Sequence, residues 1–362
     1  MNTIDRYVAR TFLMSYVLLL LAGMGLYVVG DLLVNIDDFT ADGAVPAPQA
    51  LRSMADYYLY NVPLYFSQLG GFALAIAACF TLALMHRNNE MTALVAAGMP
   101  LQRLLVPILA CAVVLAGAWL ANREFVLPEI AHKIARQRSD VQGARTLGVY
   151  CIRDDKNNIL TALRLYPREG VLARAFVIEP DESGAPARLI EADEAIYDPA
   201  ARTWRLERGR RVEMGAAPTE GLGAPIRYEP VAEFPLRLTP EDLVLRQGAE
   251  WSELLSLKQM NALVEHGSLA NRPTIVMARH VRLTTPLLQL ILLVLTATVF
   301  VSRAPANVLA RGGRALLIGG VFFAIAFMAQ SIVREEHAEL VAWSPILIFG
   351  PWAAAQWASV KT

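Results

Sequence analysis

Long apolar stretches alternate with short charged ones along the chain, and this pattern predicts membrane helices. Six stretches carry almost no charge and run for about 19 residues or more, the length a helix needs to cross a hydrocarbon core of about 30 Å. They are Thr11–Gly30, Tyr57–Met85, Leu104–Asn122, Leu283–Ser302, Ala315–Val333 and Leu340–Val360. A soluble all-α protein would have to produce six such runs together, so we interpret the chain as an α-helical polytopic membrane protein with six transmembrane helices.

An insert of about 150 residues divides these spans three and three. Within it the apolar period changes to two, because Trp204 and Leu206 alternate with charged residues, which is typical of strands with one buried face. We expect Gly209 to mark a turn between two strands and the insert to be an all-β jellyroll-like domain. Ser256 and Gln259 predict a capping box at the start of a helix that follows the strands. The predicted domains are 1–123 with the first three spans, 124–278 with the β domain and flanking helices, and 279–362 with the last three spans.

Basic residues in the short segments predict the orientation. Those at the N-terminus, between the second and third spans, between the fourth and fifth spans and at the C-terminus all face one side, which the positive-inside rule makes the cytoplasm. They are Arg6, Arg10, Arg87, Arg103, Arg303, Arg311, Arg314 and Lys361. We therefore expect an inner (plasma) membrane protein with both termini cytoplasmic and residues 124–278 in the periplasm.

Composition and motifs exclude several functions. Hydrophobic residues make up 55% of the chain, and a formal net charge of zero argues against nucleic acid as a partner. Neither a metalloprotease HExxH motif nor a nucleophile-elbow GxSxG motif occurs, so a membrane enzyme such as a peptidase or lipid transferase is disfavoured. We expect no catalytic residue, no metal site and no cofactor bound by this chain. A sensor or scaffold that binds a periplasmic partner remains as an alternative.

The segment between the second and third spans predicts a short helix at the membrane surface over about residues 87–98. Met91, Leu94 and Val95 share one face by their spacing, and Gly98 can end the helix in the left-handed conformation. Two interpretations stay open. The helix either only joins two spans at the interface, or it docks on a cytoplasmic partner with Glu90 as a polar anchor.

The chain resembles the LptF/LptG (YjgP/YjgQ) family, permeases of the transporter that exports lipopolysaccharide. The resemblance rests on the order and spacing of four features over nearly the whole length. They are the short helix Asn89–Gly98, the hairpin Ala195–Pro199 leading to Thr203–Leu206, the segment Leu238–Leu243, and the three-plus-three layout of spans around a β domain.

This resemblance implies a permease subunit of an ABC transporter that extracts a lipopolysaccharide-type glycolipid from the inner membrane and passes it to a periplasmic bridge. The implied partners are a cytoplasmic ABC ATPase dimer of the LptB kind, a second LptF/LptG-type permease and an LptC/LptA-like bridge. ATP would be hydrolysed by the ATPase, because the chain has no GxxxxGK[ST] motif. The coupling helix would use Arg87, Glu90, Met91, Leu94, Val95 and Gly98. A permease for another lipid or for lipoproteins is the alternative.

Substrate contacts are also expected from the resemblance. Members of the LptG kind carry lysines near the outer end of the first span, whereas this chain reads Asp31–Asp38 with three aspartates there. Donors for anionic head groups could instead come from Lys133, Arg136, Arg138, Arg279 and Arg282, whose alternative interpretation is ordinary solvated charge. The groove for acyl chains would be lined by Ile190, Ile196, Trp204 and Leu206.

Two expectations concern the spans themselves. Substrate would enter between the first span of one permease and the fifth span of its partner, both of which contain several glycines, and Val28 and Phe322 are candidate positions on this seam. The amides Gln68, Gln289 and Gln330 within apolar runs are interpreted as helix–helix hydrogen bonds in preference to substrate contacts.

Overall fold

The chain divides into two compact units in a computed structural model. The model describes residues 3–40, 47–134, 147–154, 157–167, 169–181, 185–213, 228–234, 236, 238–240, 242–243, 254–266, 272–301, 307–331 and 338–360. The helical unit comprises Met1–Val34, Asn61–Leu127 and Val276–Thr362, and the sheet unit comprises Asn35–Tyr60 and Pro128–Ile275. The segment Asn35–Tyr60, which the predicted N-terminal domain 1–123 includes, thus groups with the sheet.

Helices account for most of the described chain. They are α1 (Thr3–Thr40), α2 (Ala47–Arg87), α3 (Glu90–Ala96), α4 (Gln102–Ala121), a π-helical turn (Asn122–Val126), α5 (Leu127–Ile134), α6 (Leu257–His266), α7 (Arg272–Phe300), α8 (Val308–Ser331) and α9 (Ala338–Ser359). Six described helices are long and apolar enough to cross a membrane, in α1, α2, α4 with its continuation to Ala131, α7, α8 and α9. The prediction of six spans is confirmed, and α6 begins with the predicted capping box, in which Ser256 and Gln259 exchange bonds of 2.8 and 3.2 Å.

The helical unit has its main apolar core near α3. Phe12 of α1, Leu82 of α2, Ile108 of α4 and Leu293 of α7 are completely buried there. A second cluster lies between α2, α7, α8 and α9 and includes Phe322. The part of α1 from Leu18 to Val34 leaves large apolar side chains exposed. These are Leu18, Leu21, Leu26, Tyr27, Val29, Leu33 and Val34.

The strands form one antiparallel sheet. They are β1 (Leu147–Arg153), β2 (Ile159–Tyr166), β3 (Val171–Pro180), β4 (Pro186–Asp198), β5 (Thr203–Glu207), β6 (Arg210–Glu213), β7 (Glu229–Pro230) and β8 (Glu233–Phe234). Strands β1 to β4 follow one another in space, β5 and β6 both pair with β4, β8 pairs with β5, and β7 pairs with β6. Six membrane-type helices with an inserted antiparallel β domain confirm the predicted fold class.

The buried face of the sheet changes its alternation along a line that crosses several strands. Buried residues along one strand normally fall on every second position. In β2, β3 and β4, however, two consecutive residues that are not buried separate two buried ones at one point. The buried sets are Leu160, Ala162 and Leu165 in β2, Leu172, Ala175 and Val177 in β3, and Ile190, Ala192 and Ala195 in β4. Because the pairing of β2 with β3 and of β3 with β4 holds one register across this point, the outward pairs 163–164, 173–174 and 193–194 lie side by side. We call this line the crease.

The crease coincides with local changes of the backbone in β3 and in the segment between β5 and β6. Arg174 and Arg208 have φ values of 49° and 54°, and Arg208 places its Nε 3.1 Å from Asp193 Oδ2. Strands β5 and β6 pair with β4 in the same register on either side of Arg208, so they form one line interrupted at the crease. Buried residues on both sides of the crease belong to one core.

Gly209 therefore does not turn the chain between two paired strands, and that prediction is wrong. It lies in the interruption between β5 and β6, where its carbonyl oxygen accepts a 3.1 Å hydrogen bond from the Val231 amide. A Cβ atom at this position would collide with the Val231 carbonyl oxygen and with the Leu206 side chain. Only glycine lets the connection between β7 and β8 approach this closely.

Replacing Gly209 by alanine should destabilise the sheet by roughly 2 kcal/mol, because the clash involves backbone that cannot rotate away. Hydrogen exchange of the full-length protein should accelerate in peptides from β5 to β8. The matched control is Gly148→Ala, whose added Cβ meets only the far end of the exposed Tyr150 side chain. Equal exchange in the two variants would contradict the assigned role of Gly209.

Candidate functional site

Helix α3 is a short rigid connector between α2 and α4. It begins after Asn89, whose φ of 60° reverses the chain, and it ends at Gly98 with a φ of 78°. The Gly98 amide bonds to the Val95 carbonyl at 3.0 Å and the Met99 amide to the Leu94 carbonyl at 3.1 Å, which is the Schellman arrangement. The prediction that Gly98 closes the helix in the left-handed conformation is confirmed.

The apolar stripe of α3 faces the protein's own core. Met91 is 4% exposed, and Leu94 and Val95 pack against the cluster formed by α1, α2, α4 and α7. The opposite face is exposed and carries small residues and one cation. These are Arg87 at the end of α2 and Thr92, Ala93, Ala96 and Ala97. A docking partner would therefore meet this small-residue face. The face turned away from solvent carries three of the predicted coupling-helix residues, Met91, Leu94 and Val95.

Glu90 connects α3 to the start of α1. The Tyr7 hydroxyl lies 2.9 Å from Oε2 and 3.0 Å from Oε1 of Glu90 and donates to this carboxylate. The Asn88 side-chain amide donates to Oε1 at 3.1 Å. Hydrogen bonds to an ionised group are stronger than those between neutral groups. Glu90 thus holds α3 against α1 within this chain.

A cluster of buried polar contacts joins α2, α7 and α8 close to α3. Arg311 Nη1 donates to the Phe300 carbonyl oxygen at 2.9 Å and lies 2.6 Å from His86 Nε2, which is itself 2.6 Å from the same oxygen. Phe300 is the last residue of α7, and the final carbonyls of a helix have no partner within it. Arg311 therefore caps α7 from α8, and His86 of α2 lies beside this contact. In the sequence, Arg311 was recognisable only as one of the basic residues that predict the orientation.

Arg282 and Arg279, two of the predicted head-group donors, already face carboxylates in the helical unit. Arg282 is 2% exposed, and its Nη1 lies 3.5 Å from Glu124 Oε2. Arg279 Nη2 lies 3.9 Å from Glu339 Oε1, and His280 Nε2 lies 3.4 Å from the same oxygen. Arg136, Arg138 and the Lys133 side chain lie outside the described residues. The role of these five residues in substrate binding stays a prediction.

Glu124 is positioned by a π-helical turn anchored to α2. The Asn122 side-chain amide donates to the Pro63 carbonyl at 2.9 Å and to Ser67 Oγ at 3.1 Å. The Trp119 indole donates to the Ser67 carbonyl at 2.7 Å. The turn that contains Glu124 starts at this anchored Asn122, and π turns are frequent at functional sites. No pattern in the sequence predicted the turn.

The residues predicted for the acyl-chain groove lie on two different faces of the sheet. Ile190, Trp204 and Leu206 point into the core, and the Trp204 indole donates to the Leu238 carbonyl at 2.7 Å. Ile196 is 36% exposed, because the crease shifts the buried position to Ala195. The expectation that Ile196 shares a face with Ile190 is wrong.

A large apolar cavity of about 860 Å³ opens between α2, α7 and α8. Its α8 wall includes Gly312, Gly319 and Gly320, and a Cβ atom added at any of them would meet nothing within 4 Å. Phe322 points away from this wall into the core between the helices and is almost completely buried. Phe322 is therefore unsuited to a cysteine that must reach a second subunit.

Comparison with known proteins identifies one match along nearly the whole chain. The family model for the lipopolysaccharide export system permease LptF/LptG matches residues 6–358. No curated protein matches the chain.

Replacing Glu124 by leucine should destabilise the protein by about 3 kcal/mol, because it leaves the buried Arg282 charge without this carboxylate. The double variant Glu124→Leu with Arg282→Met removes both charges and should recover most of that loss. Thermal unfolding in detergent provides the measurement. Equal instability of the single and double variants would show that Glu124 does not compensate Arg282.

Proposed function

The chain belongs to the family of lipopolysaccharide export system permeases LptF/LptG, and we propose that it is the permease subunit of an ABC transporter that extracts a lipopolysaccharide-type glycolipid from the inner membrane. A separate cytoplasmic ATPase dimer drives this step, and a periplasmic bridge receives the glycolipid. The six membrane-type helices and the family make the chain a multi-pass inner membrane protein. The proposed orientation places α3 and both termini in the cytoplasm and the sheet unit in the periplasm.

The attachment of α3 to three membrane helices supports coupling to an ATPase. Its buried stripe and the bond from Tyr7 to Glu90 attach it to α1, and its two ends continue into α2 and α4. A force on its exposed face is thus transmitted to three membrane helices at once. Rigid elements that link an effector surface to several helices convert local closure into helix movement.

The docking face is tested by Ala93→Arg. Ala93 is exposed, so the variant should fold with a stability within about 0.5 kcal/mol of the native protein. A bulky cation in a closely packed contact should weaken binding of the ATPase by about tenfold or more. Co-purification of the ATPase and ATP-dependent glycolipid release provide the measurement.

The matched control for this experiment is Ala93→Ser, which keeps a small side chain and should retain the ATPase. Leu94→Arg is a poor probe, because Leu94 packs on the permease's own core and the variant would damage the fold. If Ala93→Arg retained a full complement of ATPase and transported normally, α3 would be only a connector between spans.

A second permease is proposed to pack against α1 and α8. The outer part of α1 exposes Leu26 and Val29, which the described residues leave more than half uncovered. The glycine-bearing wall of α8 borders the 860 Å³ apolar cavity. Small residues let helices approach closely and separate with little loss of interlocked packing. We propose that the glycolipid enters sideways between α1 of one permease and α8 of the other.

The lateral entry is tested by Val29→Cys and Val321→Cys, both exposed positions, in a background without Cys79, Cys111 and Cys151. Each is paired with a cysteine at the corresponding position on the facing helix of the second permease. Oxidation should join the subunits and reduce glycolipid export at least tenfold, and reduction should restore it. Leu347→Cys on α9 is the control that should not cross-link to Val29→Cys. Efficient cross-linking with unchanged export would place the entry elsewhere.

The inward face of the sheet is proposed to carry acyl chains toward the periplasmic bridge. Ile190, Trp204 and Leu206 lie on one continuous apolar face, which extends across both sides of the crease and is buried in this structure, so carrying an acyl chain requires this face to open. A lipid that leaves the bilayer needs such a face, because exposing its chains to water costs about 0.8 kcal/mol for each methylene group. Ile196 is not part of this proposal.

A further inference from the structure

A small cavity in the helical unit differs from the large apolar one in its chemistry. It has a volume of about 250 Å³ and lies between α2, α7 and α8. Four of its lining residues carry uncharged hydrogen-bonding side chains, which are Ser67, Gln68, Thr285 and Gln289. No charged side chain lines it among the described residues. The cavity therefore combines neutral polar groups with an apolar surrounding.

Gln289 is buried in this cavity, and its amide oxygen has no hydrogen-bond partner among the described residues. Its side chain is 8% exposed, and its Oε1 atom accepts no hydrogen bond within the part of the chain that the structure describes. The helix–helix hydrogen bond expected for this amide is not formed among those residues. Buried polar groups in proteins nearly always have a partner, so an unsatisfied carbonyl oxygen in a cavity indicates a missing donor.

The position of this amide depends on a glycine of the facing helix. The Gln289 side chain lies across Gly71, where an added Cβ atom would be 2.5 Å from Nε2 and 2.8 Å from Cγ and Cδ. Any other residue at position 71 would push the amide out of its place. The carboxamide can lie at the cavity because Gly71 of α2 has no side chain in its place.

Aromatic rings form the apolar walls. Phe72 and Phe323 stack with their centroids 4.3 Å apart and an interplanar angle of 20°. Phe72 and Phe327 on the lining are exposed, so the cavity opens on the surface of the helical unit. An α-helix is about 10 Å wide and cannot enter a space of this size, whereas a single hydrocarbon chain can.

We propose that this cavity binds the part of a lipid acyl chain that carries an uncharged hydrogen-bonding group, a hydroxyl or an amide, and that this group donates to Gln289 Oε1. The inference rests on the proposed function, since it assigns a selective contact to the transported lipid. The aromatic walls contact the adjoining methylene groups. An acyl chain without the polar group leaves the Gln289 amide oxygen unsatisfied and therefore binds less tightly.

The test uses the full-length permease with its co-purifying subunits in nanodiscs of phosphatidylethanolamine. The probes are photoactivatable phosphatidylethanolamines that carry one hydroxyl at successive positions of an acyl chain, together with the parent lipid without it. Labelling of peptides that contain Phe72 or Phe323 is quantified by mass spectrometry. At least one hydroxylated probe should label these peptides about 3- to 10-fold more than the parent lipid.

Two variants and a control locate the effect. Gln289→Leu replaces the amide by an apolar side chain of similar size, and Gly71→Ala displaces the amide. Both variants should abolish the preference. Thr296→Val is the matched control two turns along α7, because Thr296 donates to the Leu292 carbonyl of its own helix at 2.8 Å. This control should keep the preference.

Several results would overturn the inference. These are equal labelling by all probes in the native protein, a preference that persists in Gln289→Leu, or cross-links showing that a side chain of another subunit fills the cavity. ATP-dependent glycolipid export is measured on the same preparation. A labelling preference without export would contradict the proposed function and leave the cavity as a lipid site, whereas export without a preference would contradict only the inference.

Discussion

Polar groups placed among apolar helices must find partners inside the protein, because hydrocarbon offers none. This constraint explains the positions of most polar side chains in the helical unit. Arg311 caps the free carbonyl at the end of α7, and Asn122 and Trp119 bond to backbone carbonyls of α2 near Pro63. These bonds connect helices that are distant in sequence, so they fix the relative positions of the helices as well as satisfying the groups. Among the described residues, the Gln289 amide oxygen departs from this pattern, because it has no partner there.

The same constraint separates structural charges from charges available to a substrate. Arg282 is buried beside Glu124, so its charge serves the packing of α4 against α7. Glu90 is likewise used within the chain by Tyr7 and Asn88. A charged residue near a predicted site is thus an ambiguous signal until its partners are known. The small exposed residues of α3 are instead the surface that is proposed to dock the ATPase.

Much of the fold could be predicted from sequence, because its signals are local. Long charge-free runs gave the six helices, and the glycine at position 98 gave the end of α3. The direction of the α3 stripe could not be predicted, since an amphipathic pattern shows that a contact exists but not what makes it. Ile196 and Gly209 were misassigned for a related reason. Strict alternation was assumed through the crease, which becomes visible only when paired strands are compared.

The crease has a consequence for how this sheet can vary between related proteins. All strands that cross it change their buried position together, so a single-residue insertion or deletion there in one strand would restore regular alternation in that strand alone. Beyond that point, its apolar and charged residues would face the wrong sides relative to its neighbours. Length changes at positions 163–164, 173–174 and 193–194 should therefore be compatible with the sheet only as a coordinated set, although these positions lie in distant parts of the chain.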